Sequence, residues 1–238
     1  MKIFSIVKTT FLDLLFPIFC FGCKKEGVFL CSDCKNKLVW IQPVCFRCNK
    51  WVPPLTKVVA GRTCLSCRKK SSIYAFFSPF LYSDPLVRNL IHGLKYSHLR
   101  LLANLLGGFL VEYIAKFRIS FPEDILLVPV PLHPSRLRSR GFNQSELFVL
   151  YLSDRLKIKS EMKALQKIRK TKPQVELSAG DRRFNLVGAF AVSDLNLVKN
   201  KTILLVDDVK TTGFTLEEAA RTLKSAGARR ILALTVAR

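Results

Sequence analysis

Cysteine is absent from every position after Cys67, and acidic residues are scarce along the whole chain. The 238 residues hold 17 Asp and Glu against 39 Lys and Arg, a formal net charge of +22. That imbalance says nothing about fold, but it concentrates polyanions nearby and points to nucleic acid, polyphosphate or an anionic membrane surface as partner. The charge is spread: residues 1–70 carry 13 basic and 3 acidic side chains, residues 71–238 carry 26 and 14. Long apolar runs are also missing. Met1–Phe19 is apolar but broken by Lys2, Lys8 and Asp13, too short and too interrupted to span a bilayer. No small-residue cleavage site follows it, which argues against a secretion signal. Its apolar positions, including Phe4, Val7, Phe11 and Leu15, suit one face of an amphipathic helix that packs on the protein or, as a second reading, makes peripheral contact at the inner face of a membrane. The chain reads as cytoplasmic. With 49% apolar residues it has enough material for a proper core, so disorder is not the default.

The cysteines that are present come as four Cys-x-x-Cys pairs: Cys20/Cys23, Cys31/Cys34, Cys45/Cys48 and Cys64/Cys67. A two-residue gap brings two thiolates from one tight turn onto one ion, and two such turns complete a tetrahedron around Zn²⁺. A disulfide framework needs an oxidising compartment that nothing here announces. A thioredoxin-like redox pair does not come in four copies without a surrounding βαβ pattern. Two structural zinc sites are therefore expected. Sequential pairing, Cys20/Cys23/Cys31/Cys34 and Cys45/Cys48/Cys64/Cys67, needs only local loops; crossed pairing closes longer ones at a modest extra entropy cost.

The second informative stretch runs from Lys201 to Ala220. Ile203–Val206 is a continuous apolar run, as in a parallel strand buried on both faces. Thr215 and Glu218 fit a capping box, which predicts a helix starting at Thr215 and ending before Gly227, with a strand over Arg230–Val236. Residues 210–215 then join a strand's C-terminal end to a helix N-terminus, where open α/β sheets bind ligands and free backbone amides face phosphate. Asp207 and Asp208 at the strand tip are candidate acceptors for sugar hydroxyls, and Thr211, Thr212 and Thr215 add hydroxyl donors. A ligand with hydroxyls beside its phosphate, such as a ribose 5-phosphate, fits.

Val206-Asp-Asp-Val-Lys-Thr-Thr-Gly-Phe-Thr215 resembles the phosphoribosyl-pyrophosphate signature of type I phosphoribosyltransferases. The resemblance implies a doubly wound, mostly parallel α/β sheet in which Asp207 and Asp208 hold the ribose and Thr211–Thr215, with Gly213, hold the 5-phosphate. Lys210 stands where that signature carries an apolar residue; it either leans over the phosphate or faces solvent. Three further segments place the resemblance within the ComF group: Val128–Gln144, Ile91–Tyr96 and Arg169–Phe190. Read from the residues, the first is a buried strand over Ile125–Val130, a basic loop and a helix opened by Asn143. By resemblance that loop meets pyrophosphate, which nominates Arg136 and Arg140, whose guanidinium forks match phosphate geometry. His133 reads as structural. Lys95 is a candidate for reaching the anion, and Arg169–Phe190 for a loop that closes over substrate.

The expected organisation is thus a double zinc ribbon over residues 1–70 and a phosphoribosyltransferase domain over 71–238, with Ile73–Tyr82 a strand and Asp84–Phe117 helical. The resemblance implies binding of phosphoribosyl pyrophosphate with Mg²⁺, single-stranded DNA as partner, DNA-uptake or helicase proteins nearby, and a role in natural transformation. Phe21, Trp40, Phe46 and Trp51 are candidate stacking platforms for DNA bases. An active phosphoribosyltransferase unrelated to DNA is the alternative, although no nucleobase-recognition segment is legible.

Overall fold

The computed structural model describes residues 17–53, 60–96, 100–170 and 186–238. The predicted amphipathic segment at the start, and residues 171–185 of the expected closing loop, lie outside these. Four parallel strands form the main sheet in the order β1 (Ile73–Phe77), β6 (Arg230–Ala237), β5 (Thr202–Val209), β2 (Ile125–Pro129). Their side chains alternate between two buried clusters. Leu204, Val206, Leu232 and Leu234 join one face; Ile203, Leu205, Ile231 and Ala233 join the other. Helices cover both, which is why the central strands are apolar over Ile203–Val206 and Ile231–Leu234. On the first face lie α3 (Pro85–Tyr96), α4 (Leu102–Lys116) and α6 (Gln144–Leu156), through residues such as Leu90, Phe109 and Phe148. On the second lies α7 (Phe214–Ser225), through Leu216, Ala219 and Leu223. A small antiparallel ribbon, β3 (Leu165–Lys167) with β4 (Phe190–Val192), stands apart from the sheet and touches α7.

The chain leaves β2 for α6 on one face and leaves the neighbouring β5 for α7 on the other. Their C-terminal ends therefore diverge around a crevice, the usual ligand position of a doubly wound sheet.

Ahead of the sheet, two cysteine modules repeat one construction. Cys20-x-x-Cys23 and Cys45-x-x-Cys48 are tight knuckles closed by the same bonds: Cys20 N donates to Lys25 O at 2.8 Å and Cys45 N to Lys50 O at 2.9 Å. Cys31 and Cys64 then stand at the N-caps of two short helices, α1 (Ser32–Asn36) and α2 (Leu65–Arg68). The second module is laid against the sheet edge: Arg62 bridges Ala75, and Phe76 N donates to Gly61 O.

Several expectations change in detail. The helical span from Asp84 is two helices, and Asp84 caps the first by accepting from Leu86 N at 2.8 Å. The basic loop contains a helix, α5 (Pro134–Arg140). His133 starts it by accepting from Ser135 N through Nδ1, and Gly141, at φ 76°, stops it. The capping box at Thr215 and Glu218 does not form. Gly213 is the N-cap of α7, while Glu218 accepts from Gly188 N at 2.7 Å and from Arg221. A long-range partner has taken the carboxylate that local spacing assigned to the cap.

Candidate functional site

Asp207 and Asp208 lie near the C-terminal end of β5, and the two neighbouring elements converge on them. Asn143 caps α6 by accepting from Ser145 N, which fixes the helix's first turn and aims Ser145 Oγ at Asp207 Oδ1, 3.0 Å away. The same Oδ1 accepts from Asp208 N at 2.9 Å. From the last turn of α3, Lys95 Nζ reaches Asp208 Oδ2 at 2.8 Å, an ion pair whose side chains are 17% and 13% exposed. Burial and the adjacent Asp208 charge push the Asp207 carboxyl up to about 7. Burial works against the Lys95 ammonium, but Asp208 outweighs it and holds Lys95 above its usual range. One carboxylate is thus neutralised by a lysine, and the other waits for a proton, a cation or hydroxyl donors.

Past Val209 the chain turns through Lys210–Gly213 into α7. Thr211 and Thr212 are exposed, and among the described residues the amides of 211–213 donate to nothing. Three such amides ahead of a 12-residue helix (α7), with Gly213 at φ 78°, are donors of the kind that suits an anion. Thr215 sits on the first turn behind it.

The sequence-nominated Lys210 does neither of the things expected of it. Its side chain is buried, its Nζ donates to Asn49 Oδ1 at 3.1 Å, and it lies over the rings of Phe46 and Phe76 at 5.2 and 5.4 Å. Burial and Arg238 push its ammonium down to about 8. The lysine is a tie to the second knuckle, stabilised by ring faces that solvent could not offer.

On the far side of the crevice, Arg136 is exposed and Arg140 half-buried on α5. Lys167 on β3, which sequence reasoning missed, joins them. Burial and Arg136 push its ammonium down to about 8, while Asp207 acts in the opposite direction, so it stands within electrostatic reach of both. Ser145 was missed by one position, since the motif was read only as far as Gln144. Its signal was the helix start at Asn143, which fixes the turn that Ser145 occupies. A lone lysine in a three-residue strand gave none.

The cysteines group as sequential pairing predicts, Cys20/Cys23/Cys31/Cys34 and Cys45/Cys48/Cys64/Cys67, with all four sulfurs of each group within 4.8 Å of one another. Neighbouring sulfurs lie 3.8 Å (Cys20–Cys31), 3.6 Å (Cys23–Cys31) and 3.8 Å (Cys48–Cys64) apart. A tetrahedron with Zn–S bonds of about 2.3 Å has edges of about 3.8 Å, whereas a disulfide needs about 2.05 Å. Amides support the thiolates, Cys31 N on Cys20 Sγ and Cys64 N on Cys45 Sγ. Burial opposes ionisation of Cys20, yet backbone donors at Cys23, Cys31 and Gly22 bring it down to about 6, while burial and the neighbouring thiols push Cys34 up to about 12. Four sulfurs this close carry four charges only around a cation. Both groups fit structural zinc.

Of the four stacking candidates, Trp40 packs on Phe80 at 4.9 Å and on Phe109 at 6.0 Å, Phe46 is buried, and Phe21 is partly buried with its ring against Gly93. Trp51, 56% exposed, is the one of the four that presents most of its surface to solvent.

Residues 143–238 match the phosphoribosyl transferase domain family, a span that runs from the α6 cap through both acids and the loop. Competence protein F of Haemophilus influenzae is 31% identical over 227 residues, 92% of this chain and 90% of that one. The chain belongs to the ComF family. Within it, the DNA utilization protein YhgH of Escherichia coli K12 is 33% identical over 204 residues, covering 84% of this chain and 79% of its own. Competence protein ComFC of Streptococcus pneumoniae is 27% identical over 223 residues, 90% of each. A ComF-type chain thus combines two cysteine modules with a phosphoribosyltransferase sheet, and no helix among the described residues is long and apolar enough to cross a membrane.

Proposed function

We propose that the crevice between β2 and β5 binds phosphoribosyl pyrophosphate with Mg²⁺, and that the protein uses this site while handling single-stranded DNA during uptake. One observation carries the first part: two carboxylates at a strand tip, followed at once by a loop whose amides at 211–213 donate to nothing among the described residues. Asp207 and Asp208 accept from the ribose hydroxyls. The amides and hydroxyls of Thr211, Thr212, Gly213 and Thr215 take the 5-phosphate, and Arg136, Arg140 and Lys167 face the diphosphate. Lys95 holds Asp208 in place through its 2.8 Å ion pair. The magnesium ion supplies charge neutralisation at the diphosphate. In a transfer reaction the C1–O bond to pyrophosphate would break as an acceptor bonds to C1 and gives up its proton; the protein's part is to position the ligand and stabilise the charge on the ribosyl centre.

For DNA, the names of the relatives and the net charge of +22 point the same way. Beside the loop, a cleft of about 560 Å³ gathers Arg47, Lys69, Lys70 and Arg221 around Phe214, with Glu217 and Glu218 on its wall engaged by Ser71, Ser72 and Arg221. Cations beside an apolar face suit a single strand's backbone and bases. Such a protein works in the cytoplasm, at the inner face of the membrane, with helicase or uptake proteins as neighbours.

Calorimetry tests the pocket. Charge-assisted contacts are worth roughly 1.5–3 kcal/mol each, so Asp207→Asn with Asp208→Asn should cost at least about a hundredfold in affinity. Ribose 5-phosphate should compete, and inorganic phosphate far less. Binding unchanged in the double variant would mean the ligand sits elsewhere. Strand binding should weaken linearly with log salt, at a slope of about −0.7 per phosphate contacted; a flat response removes the DNA part. Labelled phosphoribosyl pyrophosphate and a search for ribosylated products decide whether the site turns over.

A further inference from the structure

The second cysteine knuckle does more than sit on the sheet. Phe46, inside Cys45-x-x-Cys48, lies beneath the phosphate loop so closely that a Cβ on Gly213 would fall 2.9 Å from its Cζ. Its ring is 3% exposed and meets Phe76 of β1 edge-on at 5.5 Å. Asn49 closes the knuckle, at φ 56° with its amide on Cys45 O, and its Oδ1 takes the Lys210 ammonium. Lys210 runs under Gly213, where the same imaginary Cβ would be 3.3 Å from its Cε. A third tie follows on the next turn. Glu217 of α7 accepts from Ser71 Oγ at 2.7 Å and from Ser72 N at 2.5 Å, just beyond the last cysteine helix.

These contacts meet the loop from below at its start, its glycine and its helix. Phe46 and Asn49 are both placed by the knuckle, whose own shape depends on Cys45 and Cys48 pointing at one centre. We propose that the second cysteine module is the floor of the phosphate loop, with Phe46, Asn49 and Lys210 as positioning residues, and that its metal-loaded shape is a condition for ligand binding there. Loss of that metal to a chelator would let the thiolates separate, withdraw Phe46 and release Gly213 from its left-handed turn. Binding at the loop then responds to the zinc occupancy of a cluster that never touches the ligand. This regulation rests on the phosphoribosyl reading of the pocket, but the shape of the loop can be measured without any ligand.

The experiment is hydrogen exchange by mass spectrometry on the full, zinc-loaded chain, with peptides over 207–216 compared with β6 peptides as a reference. Phe46→Ala and Lys210→Met should retain two zinc ions, yet speed exchange in the loop peptides by about tenfold or more while β6 is unchanged. Cys48→Ser, which removes an exposed ligand of the second group, should do the same with one ion lost. Cys23→Ser, its exposed counterpart in the first group, should lose an ion without changing the loop. If neither Phe46→Ala nor Lys210→Met alters loop exchange, or if Cys23→Ser alters it as much as Cys48→Ser, the proposal is overturned. Should Phe46→Ala not fold, Lys210→Met decides alone, since it keeps the apolar stem and removes only the ammonium. Calorimetry with phosphoribosyl pyrophosphate is the second arm, where the same variants should bind about tenfold more weakly. A parent that binds none of it defeats the functional reading, and the exchange result still decides the floor.

Discussion

The two cysteine knuckles have the same pattern, Cys-Phe-x-Cys, and the same internal bonds, but they meet the sheet at different places. Phe21 of the first presses on Gly93 of α3, where a Cβ would lie 2.5 Å from its Cζ. Two residues further along that helix, Lys95 holds Asp208. Phe46 of the second presses on Gly213 in the loop itself. One aromatic on one glycine is thus used twice, once behind the residue that sets the charge of the site and once beneath the residues that set its shape. Small zinc modules can therefore act as buttresses whose effect depends on which glycine they reach.

The largest effect should come from removing a ligand of each group. Cys20→Ser and Cys45→Ser should each lower zinc from two ions per chain to one by elemental analysis, because a three-thiolate site holds the ion far more weakly. Thiol titration after denaturation should find free thiols rather than cystines. Local unfolding should follow on the side that lost its metal, read as a new low-temperature transition in thermal melts. A variant that keeps both ions would show that the substituted cysteine is not a ligand.

Next come the two tryptophans. Trp40 follows the first module and packs among Phe80, Phe109 and Tyr113; Trp51 lies within the second, between Cys48 and Cys64, and is 56% exposed. Trp40→Ala should destabilise the fold by about 3–5 kcal/mol in denaturant titration. Trp51→Ala should leave the melting temperature alone and weaken single-strand binding several-fold, as expected for one lost stacking surface of about 1–3 kcal/mol. If strand binding is untouched, no base stacks on the second module at Trp51.

What the sequence made legible follows the same division. The run Ile203–Val206 reads as a strand buried on both faces, and the acids and threonines after it marked the loop where the candidate site lies. The cysteine grouping was readable because loop lengths alone favour it. What escaped depended on contacts far along the chain. Glu218 looked like a capping residue until Gly188 and Arg221 claimed it, and Lys210 looked free until Asn49, 161 positions away, accepted a hydrogen bond from its ammonium. Phe46 and Phe21 read as stacking platforms because nothing local shows that a glycine from another element leaves room for each ring. The helix at Pro134–Arg140 was hidden because its arginines give no apolar face, and only the His133 cap and the Gly141 stop define it.

Alanine at the two glycines tests the buttresses directly. Gly93→Ala puts a methyl into the Phe21 ring within an ordinary helix, an overpacking cost of about 1–3 kcal/mol that Phe21→Leu should largely restore. Gly213→Ala meets Phe46 in the same way, but it also forces an L-residue to φ 78°, worth about 1–2 kcal/mol by itself. Phe46→Leu should therefore rescue it only in part. Equal rescue at both positions, read from denaturant midpoints, would show that the loop glycine is there for packing and not for its backbone angle.

The smallest and most specific effect concerns charge. Asp207 is pushed from the ordinary 3.8 up to about 7 by burial and by Asp208, with Lys95 and Ser145 acting against the rise. A carboxyl raised on folding makes the native state take up a proton that the unfolded chain has already lost. Stability should therefore fall as pH climbs from about 4 to 7 and level off above that. Asp207→Asn removes this slope, so its advantage over the parent should be absent near pH 4 and greatest above pH 7. Lys95→Met removes the cation and should carry the Asp207 midpoint still higher, which carbon-13 labelling of aspartate carboxyls would report directly. Phe21→Ala loosens the helix behind Lys95, so it should move that midpoint upward by a smaller amount; Phe46→Ala should leave it in place. Were the two phenylalanine variants to shift Asp207 alike, charge and shape would not be divided between the knuckles, and the site would have to be treated as resting on both modules at once.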